Sequence, residues 1–192
     1  MKEEHELVQR AKGGEMSAFR ELVEHHKKKI YYLAYDLSGN HYDAEDLSQE
    51  VFIRAFRSLK NFRGDASWSS YLYRITVNVA ISHNRKKSVA RLLLSNNLEE
   101  DHQTEIESGD GESIQNPESS AGASLMQRHL ANALGKLSSR ERSIFVLRHY
   151  HDLPLKEIAQ SLQINLGTVK SLLFRALKKL QKELAFYKEE VG

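Results

Sequence analysis

The residues best suited to binding chemistry form a run of polar and cationic side chains near the carboxyl-terminal end. At about 100° per residue, as in an α-helix, one arc of this run is apolar and consists of Val169, Leu172, Leu173, Ala176, Leu177 and Leu180. The opposite arc carries Thr168, Lys170, Ser171, Phe174, Arg175, Lys178 and Lys179. Lys and Arg on a free face can contact DNA phosphates or the acceptor atoms of guanine. The pattern predicts a DNA-contacting helix, with an ordinary solvated cationic face as the alternative.

The residues before this run predict the element that would position it. Apolar side chains at helical spacing form the inner face of a first short helix: Leu155, Ile158, Ala159 and Leu162. A turn follows, in which Asn165 suits the N-cap of the second helix. In a helix-turn-helix the second helix enters the major groove, and its amino-terminal half meets base edges. We therefore expect the cationic arc to face duplex DNA.

Charge is divided unevenly along the 192 residues, although the formal net charge is only +2. Residues 1–91 hold 16 Lys and Arg against 12 Asp and Glu, and residues 123–192 hold 12 against 6. Residues 92–122 hold 8 acidic residues and no basic one. Two mildly basic bodies joined by an acidic segment favour a nucleic-acid partner, with solvated surface charge as the alternative.

Composition also argues against several function classes. The chain has no cysteine, which excludes disulfides and thiolate metal sites. No apolar run approaches the roughly 20 residues of a membrane span, and the start has no apolar signal region, so we expect a cytoplasmic protein without direct membrane insertion. The sequence contains no Gly-rich phosphate loop, no Cys nucleophile and no H-E-x-x-H motif, so nothing in it indicates an enzyme. We expect surface histidines rather than a metal site at His25, His26, His149 and His151.

Apolar periodicity predicts an all-α protein. Helical spacing runs from Glu4 to Leu59 with one break at 38–40, where Gly39 suits a helix C-terminus. A loop at 60–67 precedes another helix that ends near Lys87, and helical spacing resumes after Ala123.

The composition of the segment between the two helical bodies predicts a linker. It is rich in Ser, Asn, Asp and Glu and has few apolar anchors, so we expect two small domains at 1–91 and 123–192 and a flexible acidic linker at 92–122. The two domains are then expected to move independently. "RLLL" at 91–94 either extends the preceding helix or docks on a partner.

Two blocks of the sequence resemble bacterial RNA polymerase sigma factors. "LPLKEIAQSLQINLGTVKSLLFRALKKL" at 153–180 resembles sigma region 4, and "DAEDLSQEVFIRAFRSLKNFRGDASWSSYLYRITVNVAISHNRKK" at 43–87 resembles region 2. Two domains and a linker match the extracytoplasmic function (ECF) group. The resemblance implies a region 2 helical bundle, a region 4 helix-turn-helix, and a transcription initiation factor without catalysis or cofactor. Its implied partners are core RNA polymerase, through the beta-prime clamp helices and the beta flap, promoter DNA, and an anti-sigma factor.

An acidic-amide motif in the region 2 block matches the one with which the family docks on the clamp helices. Asp46, Gln49 and Glu50 lie at i, i+3 and i+4 and share one helical face with Ile53. The resemblance assigns polymerase binding to these four residues. Without it, the same residues would suit a solvated helix start, where acids are favoured.

The loop after this helix is where the family captures a displaced base of the −10 element and opens the DNA. Aromatic faces and cationic grooves can replace the stacking that unpaired bases lose. The resemblance assigns −10 contacts to Phe62, Arg63, Gly64, Asp65, Trp68, Tyr71 and Arg74, a base edge to Asn78, and phosphates to Arg85, Lys86 and Lys87. Core packing is the alternative for Trp68, Tyr71 and Tyr73, and the sequence leaves open which aromatic residues are core.

In the region 4 block, the resemblance assigns −35 recognition to the cationic arc of the second helix. The sequence departs from the family pattern at three positions: Leu172 stands where many members carry Arg, Leu166 where Pro is frequent, and Ser82 where Asp is frequent. Each substitute suits a helix, so we expect the fold to be unchanged. Leu172 does alter the base contacts that the family pattern implies.

A stand-alone transcriptional regulator is the main alternative function. Residues 153–180 resemble a LuxR-like helix-turn-helix equally well. The region 2 block discriminates between the two, because a repressor or activator has no use for residues 43–87 in this arrangement.

Overall fold

The chain folds into helices in both halves, as a computed structural model of residues 2–96 and 121–185 shows. The amino-terminal half contains α1 (Lys2–Lys12), α2 (Met16–Ser38), α3 (His41–Ser58), a 3-10 turn (Leu59–Asn61) and α4 (Trp68–Asn96). The carboxyl-terminal half contains α5 (Ala121–Gly135), α6 (Ser139–His149), α7 (Leu155–Leu162) and α8 (Leu166–Glu183). These described residues contain no strand, and the predicted all-α class is confirmed.

Helix ends follow the capping chemistry of the local sequence. Gly39 ends α2 with a left-handed φ of 87°, and its N–H donates to Tyr35 O. Asn40 begins α3 by accepting a hydrogen bond from Asp43 N–H. Asn165 does the same for α8, where its side chain accepts from Thr168 N–H, as its predicted N-cap role requires.

The amino-terminal half is built around α2, which packs against α1, α3 and α4. The largest fully buried side chains of α2 are Leu22, Ile30, Leu33 and Leu37, and Leu72 of α4 lies in the same cluster. The outer faces of α3 and α4 are left for other contacts.

The carboxyl-terminal half contains the predicted helix-turn-helix, formed by α7 and α8. Gln163 makes the turn in a left-handed conformation with φ 55°, and its N–H donates to carbonyls at the end of α7. Val169, Leu172, Ala176 and Leu180 of α8 are buried, as the apolar arc predicts. Leu177, placed in the same arc, is instead exposed because it lies at the edge of that arc.

The two halves pack against each other, which differs from the expectation that they move independently. α4 lies against α6 and α7, and α2 lies against α6. One hydrophobic cluster is continuous across the junction and includes Leu33 and Leu72 from the first half and Leu147 and Ile158 from the second. Apolar periodicity marks each inner face but does not identify which faces meet.

Three local predictions are corrected by the structure. The first helical run breaks at Gly13 and Gly14, since Gly14 adopts a φ of 97° that ends α1. α4 continues to Asn96, so the backbone of 91–94 extends the helix. His26, expected at the surface, is buried, and its Nε2 pairs with Glu4 Oε1 at 2.7 Å.

Two further expectations concern the linker and the membrane. Most of the predicted linker, residues 97–120, lies outside the described residues. Among the helices that are described, none combines the length and apolar character needed to cross a membrane.

Candidate polymerase and nucleic-acid interfaces

The outer side of α3 brings the four predicted polymerase-binding residues together. Asp46 and Gln49 are exposed, and Ile53 keeps 44% of its surface accessible although it is apolar. Glu50 is half-buried, and its Oε1 accepts a hydrogen bond of 2.6 Å from Arg54 Nε. The face therefore combines acidic, amide and apolar side chains on one helix.

Two aromatic residues extend this face and were not predicted. Tyr42 is 85% exposed, and Phe56 is exposed with its ring centroid 5.0 Å from that of Phe19. The signal was available in the sequence, because Tyr42, Ile53 and Phe56 recur at multiples of the helical repeat. The six residues Tyr42, Asp46, Gln49, Glu50, Ile53 and Phe56 are called the α3 face below.

Three aromatic residues at the predicted −10 loop form a compact cluster. The ring centroids of Phe62 and Trp68 lie 5.4 Å apart, those of Phe62 and Tyr71 4.8 Å, and those of Trp68 and Tyr71 5.3 Å. Trp68, Tyr71 and Tyr73 are buried, whereas Phe62 is half-buried. Trp68, Tyr71 and Tyr73 are therefore core residues in this structure. Phe62 is the aromatic residue of the cluster that lies nearest to the surface.

The loop itself borders an open cleft. Arg63, Gly64 and Asp65 are exposed, and Gly64 turns the chain with a φ of 81°. The Arg74 guanidinium lies 5.3 Å from the centre of the Tyr71 ring, a distance suited to a cation–π contact. The loop lines one side of a cleft of about 230 Å³. The other side is the end of α7, from the second half of the chain.

α4 carries the remaining −10 candidates away from the loop. Arg74, Asn78 and Arg85 recur at i, i+4 and i+11 and follow one stripe of the helix over about 16 Å. Asn78 and Arg85 are exposed, and Arg74 is half-buried. Lys86 is also exposed but lies about 100° further round the helix, away from this stripe.

Lys87 differs from its neighbours because it is already paired. Its Nζ contacts the Asp43 carboxylate, which also lies 3.1 Å from His83 Nε2. Burial alone would raise the pKa of Asp43, but hydrogen bonds from Lys87 and Asn40 outweigh it, and the pKa is lowered. Lys87 therefore joins α4 to the start of α3 before any phosphate is present.

On α8 the predicted DNA-contacting residues lie on the outer surface. Thr168, Lys170, Ser171, Arg175 and Lys178 are exposed. Phe174 is 68% exposed, a large value for an aromatic side chain. A row of cations with one exposed ring is thus available to a partner.

Lys179 is the exception on this arc. Its Nζ donates a hydrogen bond of 2.7 Å to Glu141 Oε2, a carboxylate that also caps α6 by accepting from Ser138 N–H. Burial would raise the pKa of Glu141, but the bonds from Lys179 and Ser138 outweigh it and lower the pKa. Lys179 reaches Glu141 because it projects about 20° from buried Leu172, at the border of the core arc.

The three departures from the family pattern are accommodated in the fold. Leu172 is buried, Leu166 is half-buried at the start of α8, and Ser82 is half-buried on α4. At Leu172 an apolar side chain therefore faces the core.

Comparison with known proteins agrees with this arrangement. The Sigma-70 region 2 model matches residues 22–89, and the Sigma-70 region 4 model matches residues 127–180. The ECF RNA polymerase sigma factor SigW of Bacillus subtilis is 32% identical over 185 residues, which cover 92% of this chain and 94% of SigW.

Two solved structures share the fold. CnrH, in complex with the cytosolic domain of CnrY, has a TM-score of 0.64 and 22% identity and covers 95% of this chain and 97% of CnrH. The sigma factor RpoE, in complex with the anti-sigma factor NepR from Bartonella quintana, has a TM-score of 0.60 and 22% identity. The match covers 87% of this chain and 96% of RpoE.

The two family matches fall in the predicted order and account for both helical halves. The chain belongs to the ECF sigma factors of the sigma-70 family and is a transcription initiation factor that directs RNA polymerase to promoters.

Proposed function

We propose that the chain divides promoter recognition among three surfaces on two units, 1–91 and 123–192, joined by 92–122. The α3 face binds the clamp helices of core RNA polymerase, and the second unit contacts the beta flap. The loop at 62–65 and the stripe on α4 hold the −10 strand as the DNA opens. The outer arc of α8 reads the −35 duplex.

The single observation that supports this proposal best is the composition of the α3 face. Large apolar side chains exposed beside carboxylates on one helix are typical of protein interfaces, since exposed apolar patches on soluble proteins mark binding sites. Ile53 and Phe56 are both exposed although neighbouring residues of α3 are fully buried. A partner with apolar and basic side chains would satisfy both kinds of group.

The −10 surface is proposed from the chemistry beside the loop. A displaced base could stack on Phe62, which lies at the edge of the aromatic cluster, while Arg74 and Arg85 along α4 hold the backbone. Trp68 and Tyr71 then act by supporting Phe62 from below rather than by touching the DNA. Asn78 offers amide donors and acceptors to a base edge midway along the stripe.

We also propose what class of protein the chain is, where it acts and what regulates it. The chain acts as a binding protein without catalysis of its own, in the cytoplasm, where RNA polymerase works. An anti-sigma factor is a further proposed partner, supported by RpoE, which shares the fold and was solved with the anti-sigma factor NepR.

The experiment is a comparison of two double variants in binding to core RNA polymerase. Gln49→Ala with Glu50→Ala removes the amide and one acid from the α3 face, so we expect polymerase affinity to fall at least tenfold. Glu6→Ala with Gln9→Ala removes the same two side-chain types from exposed positions on α1 and should leave affinity unchanged. Both should cost roughly 0.5 kcal/mol or less in stability, as surface substitutions do. A large loss of stability with intact polymerase binding would make the α3 residues structural.

A further inference from the structure

The first helix, α1, lies before the segment that matches Sigma-70 region 2, which begins at residue 22. Its inner face is buried through Leu7, Val8 and Ala11, and it packs mainly against α2. It also contacts the 3-10 turn and α4, the two elements that flank the −10 loop. α1 therefore lies beside the loop although it is distant from the loop in sequence.

A side chain at the end of α1 reaches the loop. Lys12 is the last residue of α1 and is half-buried, and its Nζ donates a hydrogen bond of 2.8 Å to the carbonyl oxygen of Phe62. This bond joins residues 50 positions apart, so it depends on the tertiary fold. The start of α1 is fixed to α2, because Glu4 Oε1 lies 2.7 Å from Nε2 of the buried His26. The ammonium group is thus presented to the loop from a helix that is held at both ends.

The bond from α1 falls where the backbone leaves the 3-10 turn. Phe62 N–H donates to Leu59 O within the turn, and the loop ends at Ser67, whose Oγ accepts from Ser70 N–H. Within the described chain, residues 63–66 between these points make no hydrogen bond. The carbonyl of one residue and the N–H of the next share a planar peptide group, so a fixed carbonyl also sets the direction in which the loop continues.

Phe62 also carries the ring that is proposed to receive a displaced base. Its ring centroid lies 5.4 Å from that of Trp68 and 4.8 Å from that of Tyr71. Ring and carbonyl belong to one residue, so a rotation of this peptide would shift the ring on the cluster. We propose that Lys12 is a positioning residue for the −10 loop, because its bond to the Phe62 carbonyl orients the ring on which the displaced base stacks. This inference rests on the proposed function of the loop.

The contact itself is tested in the free chain through its single tryptophan. Trp68 is 3% exposed and packs against the Phe62 ring, so a displaced ring would open Trp68 to a quencher. Lys12→Met removes the ammonium group and keeps the apolar stem. Acrylamide quenching of Trp68 should then be about twofold more efficient, whereas Lys28→Met, at an exposed position of α2, should leave it unchanged. Equal quenching in the two variants and the unaltered chain would overturn the proposal.

The effect on DNA is measured with the holoenzyme. Core polymerase carrying the unaltered chain first selects a single-stranded 20-mer from a random pool. Lys12→Met should weaken binding of this 20-mer about fivefold, since a charge-assisted hydrogen bond changes an equilibrium by that order. Lys12→Arg keeps a charged donor and should recover most of the affinity. Binding to core polymerase without DNA should be the same for all three chains, because the α3 face is unaltered. A parallel loss of polymerase binding would make Lys12 a purely structural residue.

A double-mutant cycle separates positioning from direct contact with DNA. If Lys12 acts through Phe62, Lys12→Met should cause no further loss of affinity in a chain that carries Phe62→Ala. Losses that multiply would overturn the proposal and make Lys12 a phosphate contact. If quenching responds to Lys12→Met but Phe62→Ala leaves affinity for the 20-mer unchanged, Lys12 still positions the loop and the −10 role of the loop is wrong.

Discussion

At the residue scale, the described part of the chain separates cations that are paired with a carboxylate from cations that are not. Lys178 and Arg175 are exposed on the outer arc of α8, whereas Lys179 holds Glu141 and Lys87 holds Asp43. The sequence identified all four as candidate DNA contacts, because type and spacing alone do not show which acid a lysine meets. Pairs formed across 38 and 44 residues depend on the tertiary fold.

Replacing Arg175 by Ala should affect DNA binding differently from replacing Lys178 by Ala. Arg175 lies four residues after Ser171, where both can reach base edges, so its loss should cost about 1–3 kcal/mol at the cognate −35 sequence and relax base preference at one or two positions. Lys178, a turn further on, should act through phosphates. Its loss should weaken binding to all DNA sequences alike and reduce the slope of log affinity against log salt concentration by about one. Binding of the holoenzyme to −35 variants over a salt series measures both. Equal losses of affinity for all DNA sequences in both variants would show that α8 binds DNA without recognising its bases.

Lys179→Ala should act on stability rather than on DNA. Its Nζ is the charged partner of Glu141, which is only 3% exposed, so removal should cost about 1 kcal/mol. The folded state lowers the pKa of Glu141. The stabilisation from the ionised carboxylate is therefore present above the usual carboxyl pKa and is lost as the pH falls through the lowered pKa. Urea unfolding at neutral and acid pH should show that the variant differs from the parent mainly at neutral pH. A difference that persists unchanged in acid would contradict the pairing.

At the element scale, most helices could be predicted from apolar spacing, and their ends from capping residues. Asn40, Ser138 and Asn165 all cap the helices that follow them. The break after α1 was missed because the apolar pattern continues across Gly13 and Gly14 in nearly the same phase. The α3 face was predicted at Asp46, Gln49, Glu50 and Ile53. Tyr42 and Phe56 were left out, since exposed aromatic residues resemble core residues when the fold is unknown.

Asn165→Ala should weaken the start of α8. The Asn165 side chain accepts from Thr168 N–H at 2.7 Å, and its loss leaves that donor without its cap. We expect a destabilisation of about 1 kcal/mol, measured by chemical denaturation. Asn165→Ser retains a cap oxygen and should recover most of this loss, and equal effects of the two substitutions would contradict a capping role.

At the scale of the whole molecule, the order of the two domains was predictable and their packing was not. Both family blocks were recognisable as sequence, since local motifs carry them. The contact of Asp36 with Arg142 and His151 joins residues more than 100 positions apart, and no local pattern specifies it. The buried state of Trp68 and Tyr71 was undetermined for the same reason, because aromatic side chains suit both a core and a base.

The central claim, that three surfaces of one chain divide the work of initiation, is tested most directly by in vitro transcription from a randomised promoter library. Core RNA polymerase would be supplied with the unaltered chain, the Gln49→Ala/Glu50→Ala variant or Arg175→Ala. We expect transcripts from promoters that share two elements at a fixed spacing, a uniform loss for the α3 variant, and a broadened −35 element with an unchanged −10 element for Arg175→Ala. Loss of only a subset of promoters by the α3 variant, or an altered −10 element for Arg175→Ala, would contradict this division of the work.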